Sequence, residues 1–413
     1  MHKEVYAKHR RKLMESVEED SAVILFSGEA PKKSADASYP FSPNRNFLYV
    51  TGIAEEGIIL FMERVGDDIM ETLFIHPYDE LKAKWVGETI RSEEAEAVSG
   101  ISDIRHLEEF EEFLHKKIHR GRERIWLDLE KDSFAAVPGS GGVFARRLRS
   151  EYPQLWISNA YPLITALRVI KDPEEVAEIR QAISHTKDAI LNLWAKARPG
   201  MKEYELEADF NYSLKKNGVK ELAFPTICAA GRQATVLHYE DNDQVAQDGQ
   251  MVLLDLGASH NHYCADISRT FPVNGRFTDR QKEIYTIVRL AMDRVFAAIK
   301  PGVPFQRLNE ITRETYAAEL KRIGLIADES EVSRYYFHGV SHYLGLDTHD
   351  VGSREIDLAP GMVLTVEPGL YIPEEGIGIR VEDDVLVTED GMENLSIDIP
   401  RDIDEIEALI GIR

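Results

Sequence analysis

Val252-Leu253-Leu254-Asp255-Leu256-Gly257 is a short apolar run with a single carboxylate set near its end. An isolated Asp in such a run is costly to bury unless it is paired or bound to a cation. Eleven residues on, Ala265-Asp266-Ile267-Ser268-Arg269-Thr270 supplies another acid. Further along, Thr365-Val366-Glu367-Pro368-Gly369 places a glutamate after a matching strand-like run. Fifteen residues later, Ile379-Arg380-Val381-Glu382-Asp383-Asp384 supplies a fourth. Between the two pairs lies His338-Gly339-Val340-Ser341-His342-Tyr343-Leu344-Gly345-Leu346-Asp347-Thr348-His349.

The segments around these acids form a weak internal repeat. A helical stretch beginning at Glu178-Ile179 ends at Arg198-Pro199-Gly200, and a second helix runs from Glu205 to Gly218. Later, a stretch beginning at Glu283-Ile284 ends at Lys300-Pro301-Gly302, and its partner runs from Leu308 to Gly324. Each pair is followed by strand-like segments, and Gly249 to Leu253 answers Gly361 to Leu364. Two such units predict a pseudo-symmetric domain, a duplicated helix pair plus antiparallel sheet, with a site between its halves. Its start is marked by Asp172-Pro173-Glu174-Glu175, with an N-cap candidate, Pro at the first helical position and Glu at the third.

Four carboxylates and one imidazole make an oxygen-rich set that two divalent cations would neutralise. Bridging carboxylates would hold such ions about 3.5 Å apart, the spacing of two-metal hydrolases. Hard oxygen donors with one imidazole favour Mn²⁺, with Co²⁺ or Zn²⁺ as substitutes. Other chemistries fit less well. There is no H-E-x-x-H, and Ser341 lacks the second glycine of a nucleophile elbow. Cys264 reads as a packed core residue.

The first half reads as mixed α/β, so the fold class is α+β with two domains. Strands are predicted at Val23 to Phe26, Phe47 to Val50, Ile58 to Met62, Leu73 to Ile75 and Ile125 to Leu127, with a helix over Leu107 to Ile118. Gly139-Ser140-Gly141-Gly142 lacks the rest of a dinucleotide fingerprint and reads as a turn. The domains are drawn at residues 1–168 and 169–413. The chain has 413 residues and a net charge of −23, of which −17 falls after residue 170. Such acidity argues against nucleic acid or anionic lipid as partners. Two cysteines, Cys228 and Cys264, exclude a disulfide scaffold. No apolar stretch approaches a membrane span, and a cytoplasmic location is the expectation.

Six ordered motifs identify the chain as resembling the aminopeptidase P group of the pita-bread metallopeptidase family, with prolidase close by. They are Leu253 to Gly257, Ala265 to Phe271, His338 to His342, Asp347 to Gly352, Glu367 to Tyr371 and Arg380 to Asp383. Asn44-Arg45-Asn46-Phe47-Leu48-Tyr49-Val50-Thr51-Gly52 resembles the family's N-terminal domain.

The resemblance implies five metal ligands: Asp255, Asp266, His342, Glu367 and Glu382, with Asp266 and Glu382 bridging. It implies that a metal-bridging hydroxide hydrolyses the bond between an N-terminal residue and a following proline, with Glu367 also carrying a proton. Prolidase, restricted to dipeptides, is the near alternative; a non-catalytic peptide-binding member of the fold is the remote one. His238, 17 residues before Asp255, and His349, 18 before Glu367, occupy similar places in the two copies. With His338 and Tyr371 they are expected along the substrate cleft. Arg380, two residues before Glu382, would face the same side of a strand and pair with a ligand carboxylate or a substrate group, or form a structural ion pair. Trp85 resembles a tryptophan that caps the substrate pocket, but a core position fits equally. The resemblance also suggests a homodimer or homotetramer.

Overall fold

The computed structural model describes residues 1–131 and 133–410. The chain divides into two units, Met1–Arg168 and Val169–Arg413.

The first unit is built on a six-stranded mixed sheet. Its strand Ser21–Phe26 pairs antiparallel with Ile59–Val65 and parallel with Arg124–Leu127. That strand carries Val23, Ile24 and Leu25, all buried, as expected where both faces of a sheet are covered. Ala22, Ile24, Phe61 and Phe74 pack with Phe110, Leu114 and Ile118 of the helix Phe110–His119.

Two readings of this unit are corrected. Phe47 to Val50 is not a strand but part of the helix Arg45–Thr51. The Asn44 side chain accepts from Phe47 N at 2.8 Å, and Gly52 closes the helix in the left-handed conformation at φ 71°. All but one residue of this helix is buried, so apolar periodicity could not distinguish it from a buried strand. The glycine run is likewise not a turn: Gly139 caps the helix Ser140–Glu151. Trp85 is 82% exposed, on the short helix Glu80–Val86, which excludes the core position.

The second unit contains two helix pairs. Pro173–Trp194 is followed by Glu203–Lys216, and Asp279–Ala298 by Phe305–Arg322. At the first start, the Glu175 carboxylate accepts from Asp172 N at 2.8 Å. The third helix begins four residues before the expected Glu283. Thr278 and Gln281 cap each other there, each side-chain oxygen accepting from the other's backbone N–H.

Antiparallel strands follow each pair. Ile227–Ala230, Met251–Leu256 and Ile267–Pro272 form one three-stranded sheet, with Asp255 opposite Ser268. In the second copy, Val363–Val366 pairs with Asp383–Val387, and Gly369–Ile372 with Ile377–Arg380. Both strands of this hairpin break at one level, at Glu367-Pro368 and at Val381-Glu382. Proline has no N–H to offer a ladder. Freed from the ladder, Glu367 N donates to Val340 O at 2.9 Å and Glu382 N to Ser268 O at 3.0 Å. Arg380 and Glu382 therefore do not share one continuous strand.

Gly257 lies against Ala265, the residue before Asp266. A methyl group there would collide with the Ala265 carbonyl oxygen. Only a residue without Cβ lets these backbones approach so closely. Among the described residues, no helix is long and apolar enough to cross a membrane.

Candidate metal centre

Opposed residues of an antiparallel pair project to the same side, so Asp255 and Ser268 share a face of the first sheet. Asp266 lies just ahead of the Ile267–Pro272 strand, its N–H donated to Asp384 Oδ2 at 3.1 Å. The break in the second hairpin brings Glu367 and Glu382 to the same place. Ser268 joins the two copies: its hydroxyl donates to Glu382 Oε2 at 2.8 Å and accepts from Arg380 Nε at 2.8 Å. Arg380 and Glu382 thus meet on one side through Ser268, although their strand is interrupted.

The imidazole of His342 faces this group. Its Nδ1 lies 3.0 Å from the Tyr343 carbonyl oxygen, which can only accept, so Nδ1 carries the proton. In the neutral ring, Nε2 then presents a lone pair to Asp266 Oδ2 at 3.4 Å and to Glu367 Oε1 at 3.5 Å. Asp255 Oδ1 and Glu382 Oε1 are buried without hydrogen-bond partners. Ligand atoms of Asp266, His342 and Glu382 lie within 4.8 Å of one another. Lone pairs converging in a buried place repel unless a cation sits among them. The donor set therefore fits divalent metal.

Electrostatics agree. Burial pushes the Asp266 carboxyl well above the ordinary range, and Asp255 and Asp384 push it further. Glu382 is raised in the same way by burial and then by Asp266 and Glu367. Burial also raises Glu367, against the pull of His342 and Arg380. These carboxylates favour ionisation only when positive charge joins them.

A second chain of hydrogen bonds lies behind the acids. Arg380 Nη2 donates to Asp255 Oδ2 at 2.5 Å, and Arg380 Nη1 to the Tyr371 hydroxyl at 2.9 Å. His338 Nδ1 donates to Gly339 O at 2.8 Å, so its Nε2 accepts from Tyr371 OH at 2.9 Å. Burial, and then Arg380, lower the His338 pKa to about 4, which keeps this ring neutral. His349 stands perpendicular to His342, ring centroids 4.5 Å apart, its pKa lowered by burial and then by His342.

These groups line a cavity of about 190 Å³. Of the ten residues singled out in the sequence, His238, Asp255, Asp266, His338, His342, His349, Glu367, Arg380 and Glu382 face it. Tyr371 does not: it is fully buried behind the wall, between Arg380 and His338. Three participants were not singled out. Arg354 and Ser341 line the cavity, and Ser268 ties the copies together. Ser268 had a signal in the sequence, lying two residues beyond Asp266. Arg354 had none, sitting in a polar loop.

Comparison with known proteins agrees with this architecture. The description "Metallopeptidase family M24" matches residues 177–389, and "Aminopeptidase P, N-terminal domain" matches residues 6–126. The chain is 33% identical to the Xaa-Pro aminopeptidase of Escherichia coli K12 over 98% of its own length and 97% of the relative's. It superposes with a TM-score of 0.98 on a Bacillus anthracis structure, itself provisionally assigned as an aminopeptidase P, at 49% identity over 100% of this chain and 99% of that one. Escherichia coli aminopeptidase P with the inhibitor Pro-Leu gives a TM-score of 0.90 at 31% identity, covering 100% and 98%.

Proposed function

Because the chain belongs to metallopeptidase family M24, within its aminopeptidase P group, we propose that it is an Xaa-Pro aminopeptidase, removing an N-terminal residue that precedes proline. The observation that carries this reading is the convergence of Asp266, Glu367 and Glu382 around the lone pair of His342, in a cavity that Asp255 also lines, with orphaned oxygens on Asp255 and Glu382. In this reading residues 169–413 form the catalytic domain and residues 1–168 the N-terminal one.

Asp255, Asp266, His342, Glu367 and Glu382 would hold two divalent ions. When bound, such a pair supplies Lewis acidity, making water nucleophilic near neutral pH and polarising the scissile carbonyl. Mn²⁺ suits the oxygen-rich set, with Co²⁺ or Zn²⁺ as substitutes; Escherichia coli aminopeptidase P has been solved zinc-substituted with product.

The protein's own groups supply the rest. Glu367, beside His342 in the cavity, would take a proton from the attacking water and pass it to the departing proline nitrogen. That nitrogen is tertiary in the substrate and needs a delivered proton to leave. His349 supports the developing oxyanion. His338, held neutral and oriented by Tyr371, positions the proline side with His238. Arg380 fixes Asp255 from behind.

We place the enzyme in the cytoplasm, as a homodimer or homotetramer. The apolar Leu81, Trp85 and Val86, each more than two-thirds exposed, support association. The deciding experiment compares Ala-Pro-Ala with Ala-Pro while measuring bound metal. Cleavage of the tripeptide at the Ala-Pro bond by metal-loaded protein is expected; cleavage of the dipeptide alone would assign prolidase. Metal-loaded protein that cleaves neither would overturn the reading.

A further inference from the structure

His238 faces the metal-site cavity from residues 236–250, a stretch without helix or strand that leads into Met251–Leu256. Its side chain is exposed, so its place is set by the chain on either side. Leu237 and Tyr239 both turn inward and pack with Ile227, Leu253 and Tyr371. Behind the Tyr239 ring lies Glu203, the first residue of the helix Glu203–Lys216 and fully buried.

The Glu203 carboxylate is divided between two pieces of structure. Oε1 accepts from Ala230 N at 2.6 Å. Ala230 belongs to the strand that pairs with Met251–Leu256, on which Asp255 sits. Oε2 accepts from Tyr239 OH and from Gln244 N, each at 2.8 Å, on the His238 side. The Glu203 backbone N–H donates to Gln244 O at 2.9 Å, closing the ring. A buried carboxylate is costly without such donors, and three of them fix both of its oxygens.

Asn242 repeats the arrangement along the same strand edge. It is buried and left-handed at φ 45°, a conformation that asparagine tolerates better than most residues. Its Oδ1 accepts from Cys228 N at 2.9 Å, and its Nδ2 donates to Thr226 O at 2.8 Å and to Glu207 Oε2 at 3.0 Å. Ile227–Ala230 is the outer strand of its sheet. Its outward N–H groups at Cys228 and Ala230 thus end on the side chains of Asn242 and Glu203 instead of another strand. The His238 segment is thereby tied to the sheet that carries Asp255. Resting on the Xaa-Pro reading above, we propose that Glu203 is a positioning residue for that reaction: through Tyr239 it holds His238 at a fixed place relative to the metal carboxylates.

An amide cannot take over this task. Glutamine would set its NH₂ against a backbone N–H, that of Ala230 in one orientation and that of Gln244 in the other. The test compares Glu203→Gln, His238→Ala and the double variant as full-length, Mn²⁺-loaded enzymes on Ala-Pro-Leu, with bound metal measured on each preparation. Glu203→Gln is expected to lower kcat/KM about tenfold by misplacing His238, with metal content unchanged. In the His238→Ala background the same change should cost less than about twofold, because the residue it positions is gone. A carboxylate that only stabilises the fold would cost the same in both backgrounds. Because Glu203 is buried and its replacement could disturb folding, Tyr239→Phe serves as the second variant. It keeps the packed ring, removes only the hydroxyl that reaches Oε2, and should cost about fivefold with the same dependence on His238. Equal losses with and without His238 overturn the inference. So does a fall in bound metal in a folded single variant at position 203 or 239, or a folded variant of either kind that cleaves within about twofold of wild type. If His238→Ala matches the wild type, the role given to His238 falls and this inference with it. A wild type that cleaves no Xaa-Pro bond overturns the functional reading itself, an outcome distinct from all of these.

Discussion

Arg380 Nη2 lies 2.5 Å from Asp255 Oδ2, a charge-assisted hydrogen bond joining residues 125 positions apart across the two copies of the repeat. The same guanidinium also reaches Ser268 Oγ and the Tyr371 hydroxyl. One planar group thus aims a proposed ligand and anchors the wall behind it, while leaving Asp255 Oδ1 turned to the cavity.

Lysine keeps the charge at this place but not the fork. Arg380→Lys is expected to lower kcat/KM on Ala-Pro-Leu by about 10–100-fold, with weaker metal binding. Steady-state kinetics at saturating Mn²⁺, together with a metal titration, checks this; activity within twofold of wild type would remove Arg380 from the positioning role.

Glu382 carries a buried, unpartnered Oε1 and an Oε2 fixed by Ser268. Glu382→Ala should abolish Xaa-Pro hydrolysis and reduce bound metal, both measurable on one purified preparation. Chelation should silence the wild type, and added Mn²⁺ should restore it. Full activity in excess chelator would point to another mechanism.

Gly257 brings the Asp255 and Asp266 segments together by presenting no Cβ to the Ala265 carbonyl. Gly257→Ala should force the segments apart, destabilising the protein by about 1–3 kcal/mol and lowering metal occupancy. Denaturant unfolding and metal analysis report the two effects separately. An alanine variant with unchanged metal content would mean that the close approach does not shape the site.

Stability should also depend on pH through Glu175, outside the metal site. Burial raises its pKa from 4.5 to about 7, against the hydrogen bonds from Asp172 N and Tyr263 OH. The folded state therefore holds this proton more tightly than the unfolded chain. Its contribution is complete below pH 4.5 and is lost as pH rises through about 7, a change of roughly 3 kcal/mol. Glu175→Gln, which cannot ionise, should flatten that segment of the pH–stability curve. Equal slopes in variant and wild type between pH 5 and 7.5 (about the window set by the two pKa values) would refute the assignment.

The helix pairs and strands of the second unit were legible because Pro and Gly punctuate them and apolar periodicity fills the intervals. The convergence of Asp255, Asp266, Glu367 and Glu382 was legible for a different reason: acids in apolar runs need an explanation, and the repeat paired them. Phe47 to Val50 misled because a helix buried on nearly every side carries no polar face to reveal its period. The double break at Glu367-Pro368 and Val381-Glu382 was hidden as well, since proline marks one strand but nothing marks its partner. Arg354 reaches the cavity from a loop whose path depends on contacts distant in sequence.

The orientation of His342 rests on the carbonyl oxygen of Tyr343, a main-chain atom. Every amino acid brings that oxygen, so no single replacement at position 343 deletes the acceptor. The imidazole's working tautomer is thereby protected against point mutation in a way that the Arg380-dependent aim of Asp255 is not. Genetic variation can detune the aim of Asp255 through the codon of another residue, whereas the aim of His342, short of replacing His342 itself, yields only to changes that move the backbone.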